Sequence, residues 1–250
     1  ELSTEPKPIV ISYAQGGLAD KLKGALSTFY IALLTNRVFK IFDPAWKEVY
    51  DPKNVDWQLD KDIEFYKNLS MKDKRVVYYR EKTSGKNNRS NNTAVRDTFI
   101  KGNLSALWPD ASIIILHSCE SWVDALFSNP HYRYVLTGLW DLTPREATAC
   151  TLAYLFPIRG HVLDRFSSIV SKVTDDRVFT VGIQVRAGDA DFSGNSSILP
   201  KVHSYINCAE KHTRQGQVSR WFLVSDSQAV RLHFLERFPE QVVTIIHAKP

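Results

Sequence analysis

Three short segments of the sequence carry residue types suited to binding a phosphorylated ligand. Gly16-Gly17 precede an apolar helical pattern, and the segments 186–189 and 225–227 each follow an apolar run. A Gly-Gly turn lets backbone amides approach an anion at the positive end of a helix dipole. An arginine offers a planar fork of donors that suits a diphosphate. The candidate anion-binding residues are Gly16, Gly17, Arg186, Gly188, Asp189, Ser225, Asp226 and Ser227.

Each segment also has a structural interpretation that the sequence leaves open. A tight strand-to-helix turn needs glycine for steric reasons, and Gly16-Gly17 match neither GxGxxG nor the P-loop. Arg186 and Asp189 could form an ion pair at a turn. Ser and Asp are common N-cap residues, so 225–227 could simply begin a helix.

The first half of the chain predicts elements that would position the glycine turn. Residues 8–13 form a β-branched apolar run, and from Leu18 apolar residues recur at i, i+4, i+7 and i+8 until Asn36. A second strand pattern follows at 38–42, which gives a βαβ unit with parallel strands. Residues 112–116 predict a buried strand and 144–173 a mainly helical region interrupted by Pro157 and Gly160. Between 43 and 98 only short elements can be placed.

The last quarter predicts a second parallel sheet. Strand patterns at 178–185, 221–224 and 242–246 alternate with helical spacing at 202–209 and 228–238. Open α/β sheets bind ligands beyond the carboxyl ends of their strands, where 186–189 and 225–227 both fall. We therefore expect an α/β protein of two Rossmann-like lobes with parallel sheets, 1–175 and 176–250, the second lobe being incomplete.

Composition argues against several classes of protein. The net charge of +5 suits an anionic ligand. However, the basic cluster Lys82, Lys86, Arg89 and Arg96 lacks interleaved aromatics, so no nucleic-acid partner is expected. The three cysteines, Cys119, Cys150 and Cys208, form no CxxC pair and have no histidine at metal-ligand spacing. No metal site is expected, and there is room for one disulfide and one leftover thiol.

Asn-x-Ser/Thr sequons indicate a lumenal protein. Acceptor asparagines occur at Asn68, Asn88, Asn91, Asn103 and Asn195, more than chance readily supplies. An Asn-rich loop that generates sequons by accident is the alternative. No apolar run reaches the roughly 18 residues of a membrane span, so membrane attachment is expected only through an anchor absent from this chain.

Three segments resemble a known superfamily. Residues 16–41 are similar to the opening of the xyloglucan-type (α-1,2) fucosyltransferases and their wider GDP-fucose-using superfamily, especially at 34–39. Residues 181–186 resemble the strand and arginine of the superfamily's donor-binding motif, and 221–227 resemble the next strand and its acidic turn. Roughly 100 residues carry the match.

This resemblance implies a GT-B architecture and inverting, metal-independent transfer of fucose from GDP-fucose to a glycan, expected to be a galactoside. The first lobe would be the acceptor side and the second the GDP-fucose side, without any further cofactor. Arg186 would neutralise the diphosphate as the catalytic group, with Gly188 and Asp189 beside it. Asp226 and its neighbours Ser225 and Ser227 would line the nucleotide pocket, while Gly16 and Gly17 would close over the donor. Golgi localisation is also implied.

The general base is not singled out by spacing. Asp20, Asp189 and Glu120 are candidates. Gln184 departs from the histidine found in many relatives, so no proton transfer is assigned there. Two other hypotheses remain: a catalytically silent nucleotide-sugar or glycan binding module, and a secreted α/β binding protein whose arginine is structural.

Overall fold

The computed structural model describes residues 7–14, 16–80, 97–138, 141–187, 199–213 and 218–245. Its chain divides into two units, Glu1–Arg159 and Gly160–Pro250. The α/β class with parallel sheets is confirmed in both units.

A four-stranded parallel sheet forms the centre of the first unit. Its strands are β1 (Ile9–Ser12), β2 (Val38–Ile41), β3 (Val76–Arg80) and β4 (Ile113–His117), in the order β2-β1-β4-β3. The helices are α1 (Leu18–Leu34), α2 (Trp46–Val49), α3 (Ile63–Ser70), α4 (Leu104–Leu107), α5 (Val123–Ser128) and α6 (Pro144–Leu155), with a π-helical turn at Tyr134–Gly138. The predicted βαβ opening is therefore confirmed, whereas strand β3 was not predicted.

The sheet of the first unit is buried on both faces. Val10 and Ile114 join a large hydrophobic cluster that includes residues of α1. Ile11 and Ile115, one position further along each strand, join a second cluster that includes Ile63 of α3. Burial on both faces is typical of parallel sheets, and each such side chain contributes about 1.5–3 kcal/mol.

Helix α1 is fixed closely against the loop that follows β4. A Cβ at Gly24 would stand 2.2 Å from the carbonyl oxygen of Ser118, so only glycine allows this approach. The Ser27 hydroxyl donates to the carbonyl of Glu120 at 2.9 Å and accepts from the amide of Trp122 at 2.9 Å. These contacts hold the loop after β4 beside the middle of α1.

The second unit contains a three-stranded parallel sheet in the order β5-β6-β7. The strands are β5 (Phe179–Val185), β6 (Ser219–Ser225) and β7 (Val242–Thr244), and the helices are α7 (Gly160–Val173), α8 (Leu199–His212) and α9 (Gln228–Arg237). Trp221, Leu223 and Phe234 are buried in its core. The predicted βαβαβ order of the last quarter is confirmed.

The boundary between the units lies at 159/160, whereas the sequence placed it at 175/176. Helix α7 belongs to the second unit because it lies against β7. The Thr180 hydroxyl also donates to the carbonyl of Val173 at 3.1 Å, and Arg220 donates to the carbonyl of Lys172. The expected break at Pro157 lies between α6 and α7.

All three cysteines lie among the described residues, and no disulfide joins any two of them. In the described part of the chain, no group of three or more His, Cys, Asp or Glu side chains is placed to hold a metal ion. A search of the described helices finds none with the length and apolarity that a membrane span requires.

Candidate functional site

Arg186 and Asp226 meet at the carboxyl edge of the second sheet. Val185 and Ser225, the last residues of β5 and β6, are partners in the parallel register, so the next residues of the two strands are neighbours. Asp226 Oδ1 accepts the amide of Ala187 at 2.7 Å, and its Oδ2 lies 3.9 Å from Arg186 Nε. Among the described residues, Asp226 is thus an acidic neighbour of Arg186, and the expected partner Asp189 lies outside them.

The Arg186 side chain remains largely open to solvent. It is 72% exposed, whereas the Asp226 side chain is 22% exposed. An exposed pair at this separation contributes little to stability, about 0.2–1 kcal/mol.

An open cavity of about 270 Å³ lies at this edge. Its lining comprises Gln184, Val185, Arg186, Val224, Ser225 and Asp226. The structure thus brings three of the predicted donor-site residues, Arg186, Ser225 and Asp226, to one cavity. Gly188 and Asp189 lie outside the described residues.

Ser227 is placed as a helix cap. Its hydroxyl accepts the amide of Val230 at 3.3 Å at the start of α9, and its own amide donates to Ser225 Oγ at 3.1 Å. Ser227 is 3% exposed. The Ser227 hydroxyl therefore acts as the N-cap of α9, as the alternative interpretation of the sequence held. In a donor site, Ser227 would contribute by holding the turn at Ser225.

Arg231 is a second cation at the same turn that the sequence analysis did not identify. Its guanidinium donates to the carbonyl of Ser225 through Nη1, and among the described residues its buried Nε has no hydrogen-bond partner. Its position in the sequence could have identified it, because Arg231 lies in the first turn of α9, four residues after the cap Ser227.

The Gly16-Gly17 turn lies in the first unit at the start of α1. Gly16 has φ +104°, which favours glycine, and a Cβ there would stand 3.0 Å from Asp20 Oδ2. Gly17 has an ordinary φ of −72° and nothing within 4 Å of a Cβ position. Steric need therefore accounts for Gly16 but not for Gly17, which is the N-cap of a 17-residue helix.

The first-unit candidates for the general base are on the surface. Asp20 pairs with Lys23 at 2.9 Å, and this hydrogen bond raises the pKa of the lysine. Glu120 is exposed, and it is its backbone carbonyl that contacts Ser27. A polar cluster at the carboxyl edge of the first sheet, around the buried His117, was not identified from sequence because its members are up to 104 residues apart, from Tyr13 to His117.

Comparison with known proteins identifies the fold. No family model and no curated protein matches the chain. A mutant of FUT1 from Arabidopsis thaliana, solved in complex with GDP, superposes over 98% of this chain with a TM-score of 0.66 and 15% identity. The chain has a GT-B-like fold.

Two further structures are similar. Fucosyltransferase NodZ from Bradyrhizobium covers 97% of this chain with a TM-score of 0.58 and 14% identity. NodZ α-1,6-fucosyltransferase soaked with GDP-fucose gives the same coverage and TM-score with 16% identity. The chain spans 60% of the FUT1 chain and 79% of each NodZ chain.

Proposed function

We propose that the chain is part of an inverting fucosyltransferase that transfers fucose from GDP-fucose to a glycan acceptor without a metal ion. The observation that carries the proposal is the exposed guanidinium of Arg186 at the carboxyl end of β5, on an open cavity shared with Ser225 and Asp226. Structural neighbours that hold GDP or GDP-fucose support the choice of donor.

Arg186 would act on the leaving group. As the bond between fucose C1 and the phosphate oxygen breaks, negative charge collects on GDP, and a guanidinium within hydrogen-bond reach stabilises it. Asp226 would fix the loop at Ala187 that carries this arginine. Within the first unit taken by itself, the amides that follow Gly17 would offer a separate anion contact at the positive end of α1.

The finer assignments rest on the sequence resemblance. We propose a xyloglucan-type (α-1,2) enzyme with a galactoside acceptor, acting in the Golgi lumen. Asn68 and Asn103 are exposed and are the sequons in the described residues, whereas Asn88, Asn91 and Asn195 lie outside them. The lumenal assignment is tested by the mass of the secreted chain before and after treatment with a glycosidase. We expect the glycosidase to lower the mass, and we expect this change to be absent from the Asn68→Gln/Asn103→Gln double variant if these two residues carry the glycans.

A donor screen tests the proposed reaction. GDP, GDP-fucose, GDP-mannose and UDP-sugars would be titrated calorimetrically, and GDP release from GDP-fucose measured with a panel of glycans. We expect GDP and GDP-fucose to bind and a galactoside to accelerate GDP release. Failure of GDP to bind near neutral pH would refute the donor site and favour a binding protein with a structural arginine.

A catalytically silent module is the second candidate. The surface carboxylates Asp20 and Glu120, two of the candidates for the general base, are not held in a buried site. GDP binding without turnover on any acceptor would favour this candidate.

A further inference from the structure

Arg231 connects helix α9 to the turn that carries the candidate donor site. It lies in the first turn of α9, and its guanidinium donates through Nη1 to the carbonyl of Ser225, the last residue of β6. Strand β7 ends at Thr244, the register partner of Leu223, so β6 extends two residues beyond this neighbour. Backbone carbonyls of strands need hydrogen-bond donors. Arg231 therefore supplies a donor at a strand end that β7 does not reach.

The Arg231 guanidinium has few partners for a partly buried charge. The residue is half-buried, and its Nε is buried without a hydrogen-bond partner. Among the described residues, the contact with Ser225 is the one hydrogen bond of this side chain, and no carboxylate pairs with it. Removing a charge from water without pairing it lowers stability. An unsatisfied buried donor of this kind calls for an explanation other than packing.

The position of Arg231 in the helix is also unfavourable for stability. A cation in the first turn lies at the positive end of the helix dipole. The first turn of α9 contains no acidic residue that would offset this charge. Arg237, in the last turn, lies at the favourable end of the same helix. Stability therefore does not explain Arg231, whereas its contact with Ser225 gives it a role at the turn.

The turn that Arg231 contacts carries groups of the candidate donor site. Ser225 and Asp226 line the cavity together with Arg186. Asp226 Oδ1 accepts the amide of Ala187, the residue after Arg186, at 2.7 Å. Because Asp226 directly follows Ser225, a displacement of the Ser225 carbonyl would move this carboxylate away from the Ala187 amide.

We propose that Arg231 is a positioning residue for diphosphate binding. By holding the Ser225 carbonyl, it keeps Asp226 bonded to the amide of Ala187. That hydrogen bond in turn keeps Arg186 at the cavity. Supporting contacts of this kind determine how precisely a binding side chain is held. The inference rests on the proposed function, and all of its residues belong to the second unit.

Hydrogen exchange measures this role without any ligand. Arg231→Met removes the donor and the charge but keeps an unbranched side chain. In the full chain, followed by NMR, we expect the Ala187 amide to exchange at least about fivefold faster in this variant, while amides inside β5 are unaffected. The unfolding temperature should change by less than about 4 °C. An unchanged exchange rate at Ala187 would overturn the proposal.

Two further substitutions test the hydrogen bond itself. Arg231→Lys keeps one donor for the Ser225 carbonyl, and a single acceptor does not require the planar fork of arginine. We therefore expect exchange at Ala187 to stay within about twofold of the unmodified chain. Losses as large as those of Arg231→Met would overturn the hydrogen bond as the cause. If Arg231→Met does not fold, Arg231→Gln takes its place, with the same expected result, because its shorter side chain also removes the charge.

Calorimetric titration of GDP connects the turn to the ligand. We expect Arg231→Met to weaken GDP binding by about tenfold and Arg231→Lys by less than about threefold. Arg237→Met is the matched control, because Arg237 is an exposed arginine of the same helix that lies 5.5 Å from the centroid of the Phe238 ring. It should leave GDP affinity and Ala187 exchange within about twofold. Unchanged GDP affinity in Arg231→Met would overturn the proposal.

The two measurements separate this inference from the proposed function. If the unmodified chain binds no GDP, the proposed function is refuted, whereas exchange at Ala187 still decides whether Arg231 holds the turn. Weaker GDP binding with normal exchange at Ala187 would mean that Arg231 contacts the ligand itself. That result would overturn the positioning role.

Discussion

Replacing Arg186 by lysine separates a donor-binding arginine from a structural one. Lysine keeps the positive charge but loses the planar fork that can hold two phosphate oxygens at once. If Arg186 binds the diphosphate, Arg186→Lys loses at least one charge-assisted hydrogen bond, which contributes about 1.5–3 kcal/mol to binding. We therefore expect GDP affinity to fall about 10- to 150-fold.

The structure predicts a much smaller effect on folding. Two unit charges separated by the 3.9 Å between Arg186 Nε and Asp226 Oδ2 interact by about 1 kcal/mol in water. Since the Arg186 side chain is 72% exposed, the measurable contribution should be smaller still. The unfolding temperature should therefore change by less than about 4 °C. Arg186→Lys would then weaken GDP binding strongly while leaving the unfolding temperature almost unchanged.

The assay is calorimetric titration of GDP into both proteins, with thermal unfolding followed in parallel. Arg177→Lys is the matched control, because Arg177 is also exposed, also pairs with an aspartate, and precedes the opposite end of β5. We expect Arg177→Lys to leave GDP affinity unchanged within twofold. Equal GDP affinity in Arg186→Lys and the unmodified chain would refute the donor-site argument.

Three further predictions concern the scaffold. Gly24→Ala should lower the free energy of unfolding in urea by about 1–3 kcal/mol, because its Cβ would collide with the Ser118 carbonyl. Gly182→Ala is the control: no atom lies within 4 Å of the Cβ that it would add, so it should cost less than about 1 kcal/mol. Equal losses of stability in the two variants would contradict this packing. Ser227→Ala should cost about 1 kcal/mol through the lost helix cap while the folded chain binds GDP within threefold, and a larger affinity loss would instead indicate direct contact. Because the folded pKa of His117 lies below its unfolded value of 6.5, the unfolded chain binds more protons, so stability should fall as pH drops through 6.5 and then level off below the folded pKa. His117→Gln should flatten that slope, and an unchanged slope would contradict the burial argument.

Strands with strong apolar character were predictable from sequence. The runs at 8–13, 38–42 and 178–185 became β1, β2 and β5. Each of these strands is rich in β-branched and aromatic residues and contributes buried side chains to the core of its unit. Strand β3 was missed since Val76 is its only buried residue and its remaining side chains are half-buried or exposed. Its position at the edge of the sheet explains that weak pattern.

The candidate donor site was predictable only in part. Residues directly after β5 and β6 had to lie together once the strands were parallel, so Arg186 and Asp226 could be placed at one edge. The sequence could not show that Asp226 holds the Ala187 amide. It offered an N-cap within 225–227 as an alternative, but did not single out Ser227 as the residue that caps α9. His117 gave no local signal either, because its partners come from other strands and from α3.

The most direct test of the account is a crystal structure of the chain grown with GDP. We predict that the Arg186 guanidinium lies about 3 Å from a diphosphate oxygen, with Asp226 still bonded to the Ala187 amide. GDP bound elsewhere, or an Arg186 side chain turned away from the diphosphate, would contradict it.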